Sequence, residues 1–125
     1  MWAVYRFLID SSHAYPAAMA RIHVLSDDLL FSSRLQAAFA QAGHEVSVGL
    51  AVPDGAEAIV ADLTHEPKQR LAALDGDTPT LAFYSHVESE VRMQAIAAGV
   101  ALVVPRSRMA REPVALVERL LATGR

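Results

Sequence analysis

Residues 21–43, RIHVLSDDLLFSSRLQAAFAQAG, decide the fold. Ile22 to Leu25 is a short apolar run of the kind that forms a strand buried on both faces. From Leu29 the spacing changes. Phe31, Leu35, Ala38, Phe39 and Ala42 fall on one face of a helix running to Ala42, and Gly43 provides the left-handed stop that ends it. A polar turn, Ser26-Asp27-Asp28, joins the two elements.

The same alternation of strand and helix repeats outward from this unit. His44 to Leu50 is a second strand, and Pro53, Asp54 and Gly55 supply turn chemistry that leaves no room for a full helix before the third strand, Ala58 to Ala61, which ends at Asp62. Thr64 to Leu74 makes a short helix with Pro67 in its first turn. The fourth strand is Thr80 to Tyr84. Ser85 opens a helix to Ala98 with Val87, Val91, Ala95 and Ile96 facing inward, and Gly99 ends it. Ala101 to Val104 is the fifth strand, and a last helix from Pro113 to Ala122 carries Val114, Val117, Leu120 and Leu121 on one stripe. These elements predict a flavodoxin-like, doubly wound α/β fold: a five-stranded parallel sheet, order 2-1-3-4-5, with the second crossover helix truncated or missing.

With 125 residues, 53% of them apolar and 20% charged, the chain suffices for one hydrophobic core, assigned to residues 19–125. Residues 1–18 read either as an extension upstream of a start at Met19 or as a dimerisation arm, because an exposed apolar segment seeks a partner. A formal charge of −3 offers no basic field for a phosphate backbone, so direct contact with nucleic acid is not expected. The chain contains no cysteine, which removes disulfides, thiol nucleophiles and thiolate metal sites and suits a cytoplasmic setting. Its apolar runs stop well short of the roughly 20 residues of a membrane helix. Nor is there a glycine-rich phosphate loop, a nucleophile elbow or a zinc-protease motif, so an enzyme is not expected.

Ligands of such sheets meet the carboxyl ends of the strands. There the sequence places Ser26, Asp27 and Asp28 after the first strand, Asp62 at the end of the third, Ser85 and His86 after the fourth, and Pro105, Arg106 and Ser107 after the fifth. An acidic pair, a lone aspartate and a hydroxyl at these ends resemble the receiver domain of two-component response regulators over about Arg21 to Leu121. The resemblance implies that Asp27 and Asp28 hold Mg²⁺, that Asp62 accepts phosphate and that Ser85 is the switch hydroxyl. It also implies a lysine after the fifth strand, where this chain reads LVVPRSR. Matching without a gap puts Arg106 at that position and matching the family's proline to Pro105 puts Val104 there; either way the lysine is absent. An arginine can still hold a phosphate bidentately, and Arg106 reaching Asp62 would form a standing ion pair.

Plainer roles exist for the same residues. An aspartate before a helix caps free backbone N–H groups, which covers Asp27 and Asp28. Ser85 and Glu88 fit a capping box. Asp62 at the end of an apolar strand has to be exposed or paired, since a buried lone carboxylate is costly. His65 and His86 with Asp62 would form a transition-metal site, although loop histidines are usually solvated. His23, between Ile22 and Val24, reads as structural.

Together these features point to a stand-alone pseudo-receiver, a protein-interaction module of a signalling system with no attached output domain and no required cofactor. The alternatives are a receiver that accepts phosphate on Asp62 with Mg²⁺ at the acidic pair, and a small-molecule or metal-binding flavodoxin-like domain. The resembled family's usual partner surface, its fourth helix, fifth strand and fifth helix, would display Arg92, Arg106, Arg108 and Arg111 to an acidic protein partner or a second copy.

Overall fold

The computed structural model describes residues 19–85 and 89–123. The extension at residues 1–18, and with it the choice between a non-native segment and a dimerisation arm, lies outside the described residues. Five strands, β1 (Arg21–Leu25), β2 (Glu45–Gly49), β3 (Ala58–Asp62), β4 (Thr80–Tyr84) and β5 (Leu102–Pro105), form one sheet in the order β2-β1-β3-β4-β5. Every neighbouring pair is parallel. The helices are α1 (Leu29–Gln41), α2 (Pro67–Ala72), α3 (Ser89–Ala97), α4 (Arg106–Arg111) and α5 (Pro113–Thr123). The predicted doubly wound sheet and its strand order are what the chain forms.

Strand alternation divides the core between the two faces of the sheet. One face carries Ile22, Val24, Ala58, Val60, Leu81, Phe83 and Val104 against Phe31, Leu35 and Phe39 of α1, Met109 of α4, and Leu116, Val117, Leu120 and Leu121 of α5. On the other, Leu25, Ile59, Ala61 and Ala82 meet Ala95 of α3 and the partly buried Leu71 of α2. The glycine stops work as expected. Gly43 has φ +97°, donates to the Ala40 carbonyl and lets His44 N–H reach the Phe39 carbonyl, and Gly99 (φ +88°) repeats this with Ile96 and Ala95. These are the paired bonds that satisfy the last carbonyls of a helix.

No helix joins β2 to β3. The connection turns through Asp54 and Gly55 (φ +90°) and returns to the sheet at Glu57, whose N–H donates to the Arg21 carbonyl and whose carboxylate accepts from Arg21 N–H. Val52 alone packs back on the core. β2 is built for this exposure: Val46 and Val48 pack on the α1/α5 face, while Glu45 and Ser47 point outward and are exposed.

The described part of the helix after β4 runs Ser89–Ala97, and Ser85 is an exposed residue following β4; whether Ser85 opens that helix with Glu88 as its capping partner rests on His86, Val87 and Glu88, which lie outside the described residues. One expectation needs correction: Ile96 does not face inward but is 54% exposed, and among the described residues of α3 it is Val91 and Ala95 that pack toward the sheet. One element was not read from the sequence: α4, a helix of under two turns that offers no periodicity, since Met109 is its one buried side chain.

His23, in β1 on the sheet face that carries Leu25, is 2% exposed and structural. Its Nε2 lies 3.1 Å from the Gly49 carbonyl, which can only accept, so Nε2 carries the proton and Nδ1 accepts from the Ser47 hydroxyl at 2.7 Å. Burial holds this imidazole below its ordinary pKa of 6.5, opposed in part by the Gly49 carbonyl. Just below pH 6.5 the unfolded chain therefore binds more protons than the folded one, and stability rises with pH there. Urea unfolding between about pH 5.5 and about pH 7.5 is expected to show this as a slope of at most about 1.4 kcal/mol per pH unit from His23. His23→Gln should flatten the curve; an unchanged slope in that variant would assign the effect elsewhere.

Candidate functional site

Because all five strands run the same way, their carboxyl ends share one edge of the sheet. Register then decides which residues meet. Leu25 pairs with Ala61, which sets the next residue, Ser26, beside Asp62. Asp62 pairs with Phe83, and Phe83 with Val104, so these three form one row across β3, β4 and β5.

Asp62 is 3% exposed. Its carboxylate is solvated by the protein: Ser26 Oγ donates to Oδ2 at 2.8 Å, and Thr64 N–H donates to Oδ1 at 2.9 Å. Among the described residues no ion pair involves Asp62. The expected pairing is therefore with a hydroxyl and an amide instead of a cation. Ser26 is doubly used, since its Oγ also accepts from Asp28 N–H at 3.0 Å.

Asp28 is the N-cap of α1, accepting from Phe31 N–H at 3.0 Å through Oδ1. Its Oδ2 takes the Arg106 guanidinium at 3.0 Å. That amide first, and the Arg106 contact second, hold the Asp28 carboxyl below its ordinary pKa. The same guanidinium lies 3.9 Å from the ring centroid of Phe31, which meets Phe83 edge-on at 5.1 Å. Arg106 thus does not reach Asp62 as the sequence allowed; it begins α4, beyond the strand end, and its side chain crosses to α1. Asp27 is met from the other flank, where Arg70 Nη2 lies 3.2 Å from its Oδ2. Arg70 comes from α2, whose start is sharply bent by Glu66 (φ 51°) ahead of Pro67. Its side chain is 7% exposed, and no sequence signal marked it, because a single arginine in KQRLA reads as a solvated helix residue.

Of the two positions weighed for the missing lysine, Val104 is the one in the row of Asp62, and it is 4% exposed within the core. Ser85 lies at the same edge and is exposed. His65 is an exposed loop residue, and His86 lies outside the described residues. Among the described residues no group of three or more His, Asp or Glu side chains is placed to hold a metal ion. A hard cation needs open carboxylate oxygens, and of the four in the acidic pair three already have a partner, leaving Asp27 Oδ1.

In solved structures this arrangement of strands and helices has close counterparts. A CheY-like response regulator receiver domain protein from Methanospirillum hungatei covers 86% of this chain and 97% of its own, with a TM-score of 0.72 at 13% identity. The chain has the fold of a receiver domain. A response regulator from Thermotoga maritima matches with a TM-score of 0.72 at 10% identity, over 85% of this chain and 100% of its own. The non-phosphorylated HemR receiver domain of Leptospira biflexa matches at 0.69 and 19% identity, over 85% and 97%. No protein-family model and no curated protein matches the sequence. The order of strands and helices thus follows the receiver fold.

Ser26→Ala tests the network directly. It strips one of the two donors from the buried Asp62 carboxylate and the acceptor from Asp28 N–H. An unsatisfied buried group of this kind costs about 1–3 kcal/mol, so the urea midpoint should fall accordingly. In the double variant Ser26→Ala/Asp62→Ala the loss relative to Asp62→Ala alone should shrink; additive losses would mean that the two side chains are not coupled.

Proposed function

We propose that this chain is a receiver-like signalling or regulatory module that acts through protein contacts and does not switch by the usual phosphorylation of its strand-end aspartate. The observation that carries the reading is the row Asp62, Phe83, Val104: where the resembled domains keep a lysine to bridge to a phosphoryl group, the side chain in line with Asp62 is a buried valine. The other position weighed for that lysine, Arg106, is held by Asp28 and Phe31. A ligand shifts a two-state equilibrium only by the difference in its affinity for the two states. With no cation on Asp62, a phosphoryl group there gains little that differs between conformations.

The surface supports a contact role. α3 exposes Met93 and Ile96, at 68% and 54%, beside the exposed Arg92. The cationic face is smaller than the sequence indicated, because Arg106 turns inward and Arg108 and Arg111 share Glu112 at 3.4 and 3.6 Å. α3, β5 and α5 remain the proposed surface for a protein partner or a second copy. Among the described residues no helix is long and apolar enough to cross a membrane.

The test adds Mg²⁺ with acetyl phosphate or beryllofluoride and follows backbone amide shifts by NMR. The expected result is no saturable change propagating from Asp62 to α3. Saturable shifts that reach Ser85 and α3, and vanish in Asp62→Ala, would establish the phosphorylatable alternative instead.

A further inference from the structure

Three carboxylates lie along the strand-end edge, and the chain supplies cations for two of them from two sides. Five of their six oxygens have a partner: Asp27 Oδ2 meets Arg70, Asp28 Oδ1 and Oδ2 meet Phe31 N–H and Arg106, and Asp62 Oδ1 and Oδ2 meet Thr64 N–H and Ser26 Oγ. Counted formally, three carboxylates and two guanidinium groups leave one negative charge, the residue that a single divalent cation would leave among the same three carboxylates.

Both guanidinium groups are held by more than charge. The Arg106 guanidinium lies over the ring of Phe31, which is itself packed on Phe83, and Asp28 is fixed opposite it as the cap of α1. Cation and aromatic face reinforce one another in such a stack. Arg70 is 7% exposed, and a guanidinium withdrawn that far from water needs its counter-ion, so a metal that drew Asp27 Oδ2 away would leave Arg70 unpaired. Mg²⁺ sheds water reluctantly and gains from carboxylates only when they are free to replace that water.

We infer that Arg70 and Arg106 serve as a built-in substitute for the divalent cation, clamping the β1–α1 turn from α2 and from α4 and leaving the crevice independent of metal. The inference concerns the unmodified crevice and stands whether or not Asp62 can carry phosphate; its test uses no phosphodonor, so the two readings fail separately.

Mn²⁺ titration, read as paramagnetic broadening of the amide signals of Ser26, Asp27 and Asp28, tests it on the full chain. The wild type should show no saturable broadening there. Arg106→Gln, and more strongly Arg106→Gln/Arg70→Met, should gain it, with apparent affinity rising on the order of tenfold or more. In parallel, the thermal midpoint of the wild type should be the same in Mg²⁺ and in EDTA, whereas that of the double variant should rise with Mg²⁺. Saturable broadening of the wild type in the range of the double variant, or a wild-type midpoint that climbs with Mg²⁺, overturns the inference. So does a folded Arg106→Gln variant with no gain. If replacing the buried Arg70 prevents folding, the half-buried Arg106 position and the wild-type measurements still decide.

Discussion

A carboxylate removed from water sets the terms for this strand-end crevice. Asp62 closes an apolar strand at 3% exposure, and an ionised group so placed has to find donors or give up its charge. It finds them locally, in the amide two residues on and in a hydroxyl on the neighbouring strand end. That hydroxyl in turn accepts from Asp28 N–H, and Asp28 caps α1 and receives Arg106. The chain of bonds runs from the middle of the sheet, through the β1–α1 turn, to the start of α4. Each link fixes the orientation of the next, so a substitution at Ser26 is felt by two aspartates at once.

Electrostatics and packing share the work at the far end of that chain. Arg106 is only partly buried, and an isolated ion pair of that exposure contributes little. Here the guanidinium also covers Phe31, whose ring meets Phe83, the residue between Asp62 and Val104 in the sheet. The aromatic pair therefore joins the charged crevice to the α1/α5 core.

The sheet tolerates a missing helix because its edge strand is amphipathic. A parallel strand covered on both faces reads as continuous apolar sequence, as AIVA in β3 does. EVSVG in β2 alternates instead, which is the mark of a strand with one face on solvent. His23, the residue of β1 that lies beside this open face, is polar, and it is satisfied from β2 by Ser47 and the Gly49 carbonyl. The short connection from Leu50 to Glu57 is thus matched by the chemistry of the surface that it leaves uncovered.

Strands, long helices, glycine stops and the absent second helix were all legible in the sequence, because each follows from local periodicity or from backbone preferences acting within a few residues. That Asp27, Asp28, Asp62 and Ser85 share one edge of the sheet was legible too, since parallel strands put every strand end there. What joined to what was not. Arg70 and Asp27 are brought together by folding across a sequence separation of 43, and Arg106 and Asp28 across one of 78. No local rule tells a guanidinium that caps a crevice from one that floats in solvent. Only the tertiary structure turned Arg106 toward Asp28 and away from Asp62 and set Val104 in the row of that aspartate, because register and packing, which are properties of the whole sheet, choose among partners that the sequence leaves equivalent.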